Sequence, residues 1–304
     1  MPELPEVETI VSTLRPLVRG RRIRGVELRG RPSRKSRLGR SLSVLTDPSG
    51  QLLPGLSGAV VDNIERYGKN IVFQLRRPRG ANGGGSLWIH LGMTGRLTVE
   101  PTPQSRNRHT QVVFRLDKPG RWLHYSDMRQ FGCFRWVSGG KETKDALGPD
   151  PLEISFEEFF RRLHGRRRML KSLLLQQDFL RGIGNIYADE SLFRAGVHPA
   201  TQADCLSRRR ALRLYGSIRE TLALAIQDGG SSIANYVNAQ GRRGNFQEQH
   251  QVYGRAGEPC RRCGARIRKM LISSRGTHFC PRCQNAAAQR SRTRSAPRRK
   301  EATA

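Results

Sequence analysis

Cys260-x2-Cys263 and Cys280-x2-Cys283 are two close cysteine pairs with sixteen residues between them. No other feature restricts the fold of this chain so tightly. Each pair can chelate one ion from a tight turn, the intervening segment can form a β-hairpin, and four thiolates suit tetrahedral zinc. With every position filled by protein none is left for water, so the metal is structural. Cys133 and Cys205 stand alone, which fits a reducing compartment rather than a disulfide framework. The hairpin is strongly basic. Arg261 and Arg262 lie inside the first turn, and Arg266, Arg268, Lys269 and Arg275 lie between the pairs. Such a rigid basic element suits phosphate contacts; the plainer reading is a solvated loop.

The same sign runs through the whole chain. Against 55 Lys and Arg stand 25 Asp and Glu, a net charge of +30 over 304 residues. A compact state with that charge repels itself, and nucleic acid is the commonest counterweight; an anionic membrane surface is the alternative. Part of the arginine excess can reflect genome composition. No apolar run approaches the ~18 residues of a membrane helix, and the start lacks the apolar core of a signal peptide. A soluble, cytoplasmic protein with a polyanionic partner is expected. No oligomerisation signal is present, and a monomer is the default.

Local patterns divide the chain. Val7, Ile10, Val11, Leu14, Leu17 and Val18 recur at helical spacing, and the helix should stop near Arg19-Gly20. Pro5 suits its first turn, where Glu6 and Glu8 face the positive dipole end. From Ile23 to about Val137 roughly eight short β-branched or aromatic runs predict an antiparallel sandwich or barrel. "RRPRGANGGGS" (76–86) is too glycine-rich to pack. Past Ser155, with Glu158 in capping position, the pattern is helical and glycine-punctuated. The expected divisions are 1–138 (sandwich), 139–151 (linker), 152–250 (helical), 251–284 (zinc hairpin) and 285–304 (basic disordered tail). The fold class is therefore α+β. The polar stretch Asn235–Gln251 reads as a long functional loop.

"LRGIGNIYADESLFRAGVHP" (180–199) places Gly182 and Gly184 before a helix that begins near Asn185. Free N–H groups at a helix start bind phosphate, and Asn185 can cap the helix or reach the same anion. A tight turn with an N-cap is the competing reading.

Together "PELPEVET", "HLGMTGRL" (90–97), "DMRQFG" (127–132), "GIGNIYADESLFRAG" (182–196) and the four-cysteine segment occur in the order that resembles bacterial formamidopyrimidine-DNA glycosylases. The match spans about residues 1–284. The endonuclease VIII branch typically has glycine where this chain has Leu4, so the resemblance favours the oxidised-purine branch. It implies a β-sandwich with an N-terminal helix, a helix–two-turn–helix domain and a zinc hairpin. The implied activity is removal of 8-oxoguanine and formamidopyrimidines from duplex DNA after base flipping, then β,δ-elimination of the strand.

The resemblance also assigns residues. Met1 precedes a small residue, and its removal leaves Pro2 with a free secondary amine. A terminal amine has a reference pKa of ~7.7–8.0 against ~10.4 for lysine, so roughly a tenth of it is neutral at pH 7. Attack on the sugar C1′ gives an iminium ion that serves as an electron sink. Glu3 is the implied general acid/base, with Glu6 supporting. Lys69 is assigned to phosphate contact and β-elimination, and Arg275 to the flanking phosphates and δ-elimination. Asn185, His90, Tyr253 and Lys269 match phosphate-contact positions, and His109 and Arg167 match further DNA contacts. Met93, Arg129 and Phe131 match the three side chains that fill the void left by a flipped base. Without the resemblance, Met93 and Phe131 read as core, Lys69 as a solvated turn residue and Pro2 as helix-start rigidity.

Two departures stand out. Gln130 replaces a second basic residue common in relatives. The glycine-rich loop at 80–85 and the tail after Gln284 are additional, and the tail is expected to add nonspecific DNA affinity. The alternatives are an endonuclease VIII-like enzyme for oxidised pyrimidines and a noncatalytic zinc DNA-binding protein.

Overall fold

The computed structural model describes residues 1–29, 55–77, 84–104, 107–138, 147–233 and 235–285. One of the expected strand runs (41–47), most of the glycine-rich stretch 80–85, most of the expected linker and the tail beyond 285 lie outside them. The chain forms two compact units. The first comprises Met1–Leu152, Gln177–Ile183 and Leu222–Gln249; the second comprises Glu153–Gln176, Gly184–Thr221 and the chain from His250 onward.

The first unit begins with α1 (Leu4–Val18), with Pro5 in its first turn. Among the described residues eight strands follow: β1 (Ile23–Leu28), β2 (Val60–Tyr67), β3 (Asn70–Arg76), β4 (Gly85–His90), β5 (Arg96–Glu100), β6 (Thr110–Leu116), β7 (Trp122–Ser126) and β8 (Cys133–Ser138). They pair antiparallel in two four-stranded sheets, ordered β1-β6-β7-β5 and β2-β3-β4-β8. This is the expected sandwich. The helical stripe Val7, Ile10, Val11, Leu14 and Val18 is buried in one core with Ile64, Phe73, Ile89, Phe114 and Phe134 of both sheets. Each such side chain contributes about 1.5–3 kcal/mol by leaving water.

The run 86–100, continuous in its apolar pattern, is two strands. The chain leaves one sheet after His90 and enters the other at Arg96, turning through Gly92 at φ +60°. The segment from Asp127 to Gly132 makes the reverse crossing between β7 and β8. Register then concentrates candidates at one sheet end: Tyr67 pairs with Asn70, Asn70 with His90, and His90 with Cys133.

In the second unit α2 (Phe156–His164) starts at Ser155, whose hydroxyl accepts the Glu158 N–H at 3.3 Å. α3 (Leu170–Leu174) is shorter than its apolar run suggests. α4 spans Asn185–Arg194, and α5 (Arg208–Gln227) continues from this unit into the first. β9 (Arg268–Ile272) and β10 (Arg275–Phe279) form the predicted antiparallel hairpin between the cysteine pairs.

Candidate active site and nucleic-acid interface

The chain start is packed inward. Pro2 is buried and Glu3 is 3% exposed, although Met1 itself is half exposed. The Leu4 N–H donates to the Gly182 carbonyl at 3.0 Å. Gly182 has φ +96°, and a Cβ there would lie 2.9 Å from Leu4, so this seat for the start admits only glycine without strain. Glu6 is 2% exposed. One of its oxygens accepts the Glu3 N–H at 2.8 Å and the other the Ser231 N–H at 2.7 Å. Its backbone carbonyl accepts the Tyr236 hydroxyl at 3.2 Å. Glu6 is thus more than a dipole partner: it ties Glu3 to the loop after α5.

Lys69 follows Gly68 in the β2–β3 turn and is 8% exposed, which removes the solvated-turn reading. The turn is held from below. Arg66 donates to Glu8 and to Asp150, both at 2.7 Å, and Arg181 lies 3.5 Å from the same Asp150 carboxylate. The Arg181 guanidinium also sits 4.4 Å from the Tyr67 ring centroid. At the adjoining sheet end, burial, the nearby Lys69 ammonium and the chain's amino terminus hold His90 below the ordinary imidazole pKa. His90, Lys69 and the chain start therefore share one electrostatic environment.

Met93 and Phe131 are 46% and 47% exposed, so neither belongs to the core. Arg129 is exposed between them in sequence, its guanidinium 4.5 Å from the Phe131 ring centroid. His109 lies beside this group, its carbonyl accepting the Asp127 N–H at 3.0 Å.

In the second unit Asn185 is the first residue of α4, and Gly184, in extended conformation, is the N-cap. Of the two readings open for Asn185, capping is not the one seen: its amide donates to the Gly276 carbonyl of β10 at 2.9 Å. Beneath it Lys171 and Asp189 form a fully buried ion pair at 2.6 Å. Lys171 also donates to the Asn185 carbonyl at 2.9 Å, and Asp189 accepts the His278 N–H at 2.8 Å. Glu190, 4% exposed, accepts the backbone N–H groups of Gln251, Val252 and Tyr253. Burial raises its pKa, and those three N–H bonds oppose the rise. Asn185 and Tyr253 are thus set by buried acids, while Lys269 and Arg275 are exposed on the hairpin and Arg167 is 94% exposed. Asp189→Asn leaves the Lys171 ammonium buried without its anionic partner. We expect a loss of about 3–5 kcal/mol of stability, measured by urea unfolding.

The four cysteine sulfurs all lie within 4.8 Å of one another. The Cys260–Cys283 and Cys263–Cys280 sulfur separations are 3.9 and 3.5 Å. Tetrahedral zinc with Zn–S bonds of about 2.3 Å needs edges of about 3.8 Å, so the geometry and the all-sulfur donor set both fit. The four cysteines hold one structural zinc ion. Gln284 anchors the second pair, accepting the Cys280 N–H and donating to the Val197 carbonyl, each at 2.9 Å.

Sequence reading missed the acids and cations that support these residues: Arg66, Asp127, Asp150, Lys171, Arg181, Asp189 and Glu190. Their one signal was a charged residue inside an otherwise apolar or motif-like run, as with Lys171 in "RMLKSLLLQQ".

A β-sandwich that begins in a helix, a helical unit and a zinc-stapled basic hairpin define a zinc-hairpin protein of helix–two-turn–helix type. Family models for the formamidopyrimidine-DNA glycosylase N-terminal domain, the formamidopyrimidine-DNA glycosylase H2TH domain and the zinc finger found in FPG and IleRS match residues 1–134, 147–237 and 257–286. The chain belongs to the formamidopyrimidine-DNA glycosylase family. It is 46% identical over 285 residues to the Formamidopyrimidine-DNA glycosylase of Solibacter usitatus, covering 93% of this chain and 99% of that one. The Bacillus subtilis relative is 38% identical over 295 residues, with 93% and 99% covered. Among solved structures, MutM (Fpg) from Thermus thermophilus superposes with a TM-score of 0.77 at 40% identity, covering 93% and 98%. A variant of Lactococcus lactis Fpg in complex with Fapy-dG-containing DNA gives 0.81 at 33%, covering 93% and 100%. Among the described residues no helix is long and apolar enough to cross a membrane.

Proposed function

We propose that this chain is a bifunctional DNA glycosylase/AP lyase that removes oxidised purines, 8-oxoguanine and formamidopyrimidines, from duplex DNA. One observation carries the reading at the site. Glu3 and Lys69, residues that are ordinarily solvated, are 3% and 8% exposed in the unit that also buries Pro2. Glu and Lys side chains are seldom buried, and here one of each is gathered in the unit that buries the chain start. With Met1 removed, the Pro2 amine attacks C1′ of the lesion sugar; the N–C bond forms as the glycosidic bond breaks. Glu3 supplies and recovers the protons of base departure and ring opening. The resulting iminium withdraws electrons from the sugar, so the 3′ and then the 5′ phosphate leave by elimination. Lys69 assists the first elimination and Arg275 the second.

Met93, Arg129 and Phe131 fill the vacated stack, with Arg129 hydrogen-bonding the orphaned base. His90, His109, Arg167, Asn185, Tyr253 and Lys269 contact the backbone. Glu6 supports Glu3 through the bond to its N–H. The same reading makes the protein a cytoplasmic monomer that works on the chromosome.

Borohydride trapping on three duplexes tests this. An adduct is expected with 8-oxoguanine and with an abasic site, and a much weaker one with an oxidised pyrimidine. No adduct on any duplex overturns the enzymatic reading in favour of a noncatalytic DNA-binding protein. Preference for the pyrimidine supports an endonuclease VIII-like enzyme.

A further inference from the structure

We infer that Asp127 is a positioning residue for base extrusion: its buried carboxylate locks the Met93 loop to the Arg129–Phe131 loop and presents the two as one rigid wedge. The inference rests on the void-filling role proposed above.

Both loops cross between the sheets, Leu91–Gly95 from β4 to β5 and Asp127–Gly132 from β7 to β8. Asp127 is 1% exposed. Its Oδ1 accepts the Thr94 hydroxyl at 2.5 Å and the Arg129 N–H at 3.2 Å. Its Oδ2 accepts the Gly132 N–H at 2.9 Å and the Tyr125 hydroxyl at 3.1 Å. Its carbonyl accepts the Gln111 side-chain amide at 2.8 Å. The Thr94 hydroxyl in turn accepts the Arg129 N–H at 3.1 Å. One carboxylate therefore reaches Thr94, next to Met93, and both backbone ends of the Arg129–Phe131 segment.

The surroundings leave no slack. A Cβ on Gly92 would lie 2.5 Å from the Phe131 carbonyl carbon, and one on Gly132 would lie 1.8 Å from the Tyr125 hydroxyl. The two loops touch backbone to backbone. Gln130, between the two exposed side chains, has φ +56°, a left-handed conformation that costs a non-glycine residue energy and persists only where neighbours enforce it. Above this buried clamp Met93, Met128 and Phe131 are 46%, 53% and 47% exposed. Apolar side chains held out in water on an immobilised base form a tool for displacing something else apolar. A floppy loop would lose that reach, because ordering it on contact costs conformational entropy.

The chemistry requires a carboxylate. Every group facing it is a donor: two hydroxyls and two backbone N–H groups. An asparagine offers a donor of its own on one side, and neither backbone N–H can turn away. Asp127→Asn therefore loosens one loop from the other without altering any residue assigned to the reaction or to DNA contact.

The test compares single-turnover rates on duplex 8-oxoguanine, where a stacked base must be extruded, with strand cleavage at a preformed abasic site, where none is. Asp127→Asn is expected to slow 8-oxoguanine excision about 30-fold and abasic-site cleavage less than 3-fold. Thr94→Ala should show the same split more weakly, and Thr94→Ser, which keeps the hydroxyl, should restore most of the rate. Equal losses on both substrates, or no loss on either, overturn the proposal. A split that Thr94→Ser fails to rescue also overturns it. If the unmodified protein excises 8-oxoguanine from neither duplex nor single strand, the functional reading itself fails, which is a separate outcome.

Discussion

A form of this protein that keeps Met1, or carries any residue ahead of Pro2, gives no borohydride-trapped adduct on 8-oxoguanine or abasic duplexes. It still binds both. The physical reason is that an acyl group on Pro2 converts a basic secondary amine into an amide without a usable lone pair, so no iminium can form. The expected loss is at least a thousandfold in single-turnover rate, about 4 kcal/mol of barrier. The packing sharpens the expectation. Pro2 is buried, Leu4 is bonded to Gly182, and Glu3 is held by Glu6, so the start has little freedom to present another atom. Pro2→Gly with Met1 removed keeps a terminal amine but loses the ring that fixes its direction, and should trap less. Retained trapping in the extended form would transfer the nucleophile to a lysine, with Lys69 the first candidate because it and the chain start both act on His90.

What the sequence disclosed and what it withheld divide along a physical line. The cysteine spacing, the α1 stripe and the alternating runs were readable because they are local: a chelating turn needs two intervening residues, a helix face repeats every three or four, a strand every two. The split of 86–100 into two strands was hidden, since a crossover at Gly92 leaves the alternation of both halves intact. The supporting acids were hidden more deeply. Arg66 and Asp150 are 84 positions apart, Lys171 and Asp189 are 18 apart on different helices, and Glu6 and Ser231 are 225 apart. No periodicity marks such pairs, because their spacing is set by the fold and not by the element that carries them.

The site residues show the same limit. Met93 and Phe131 have core composition; the resemblance alone set them apart from the core, and the structure shows them held out in water. Asn185 looked like an N-cap because asparagine commonly is one. The helix instead starts at Asn185 itself and turns its amide toward the hairpin. In each case the residue type was informative and its surroundings decided which of its uses applied.

Removing zinc should have the second-largest effect. Among the described residues, the core around the cysteines has Phe193, Val252, Ile267, Cys260 and Cys280 as its buried members. That is far too little apolar surface to hold a hairpin alone, whereas a structural zinc site contributes apparent free energies of about 10–16 kcal/mol. Without metal, β9 and β10 lose their anchor, and Lys269 and Arg275 lose their fixed positions. Tyr253 is partly protected by the Glu190 bonds to residues 251–253, so it should be less affected. Each phosphate contact contributes about 0.9 to the slope of log affinity against log salt, so losing Lys269 and Arg275 should flatten it by about 2. Chelation, or Cys263→Ser, should therefore weaken DNA binding at low salt and flatten its salt dependence together. The sandwich unit, which contributes no ligand to the metal, should keep its near-ultraviolet circular dichroism. The combination discriminates. Weaker binding with an unchanged slope would mean that the hairpin supports the fold without touching phosphate, and unchanged binding without metal would remove it from the interface.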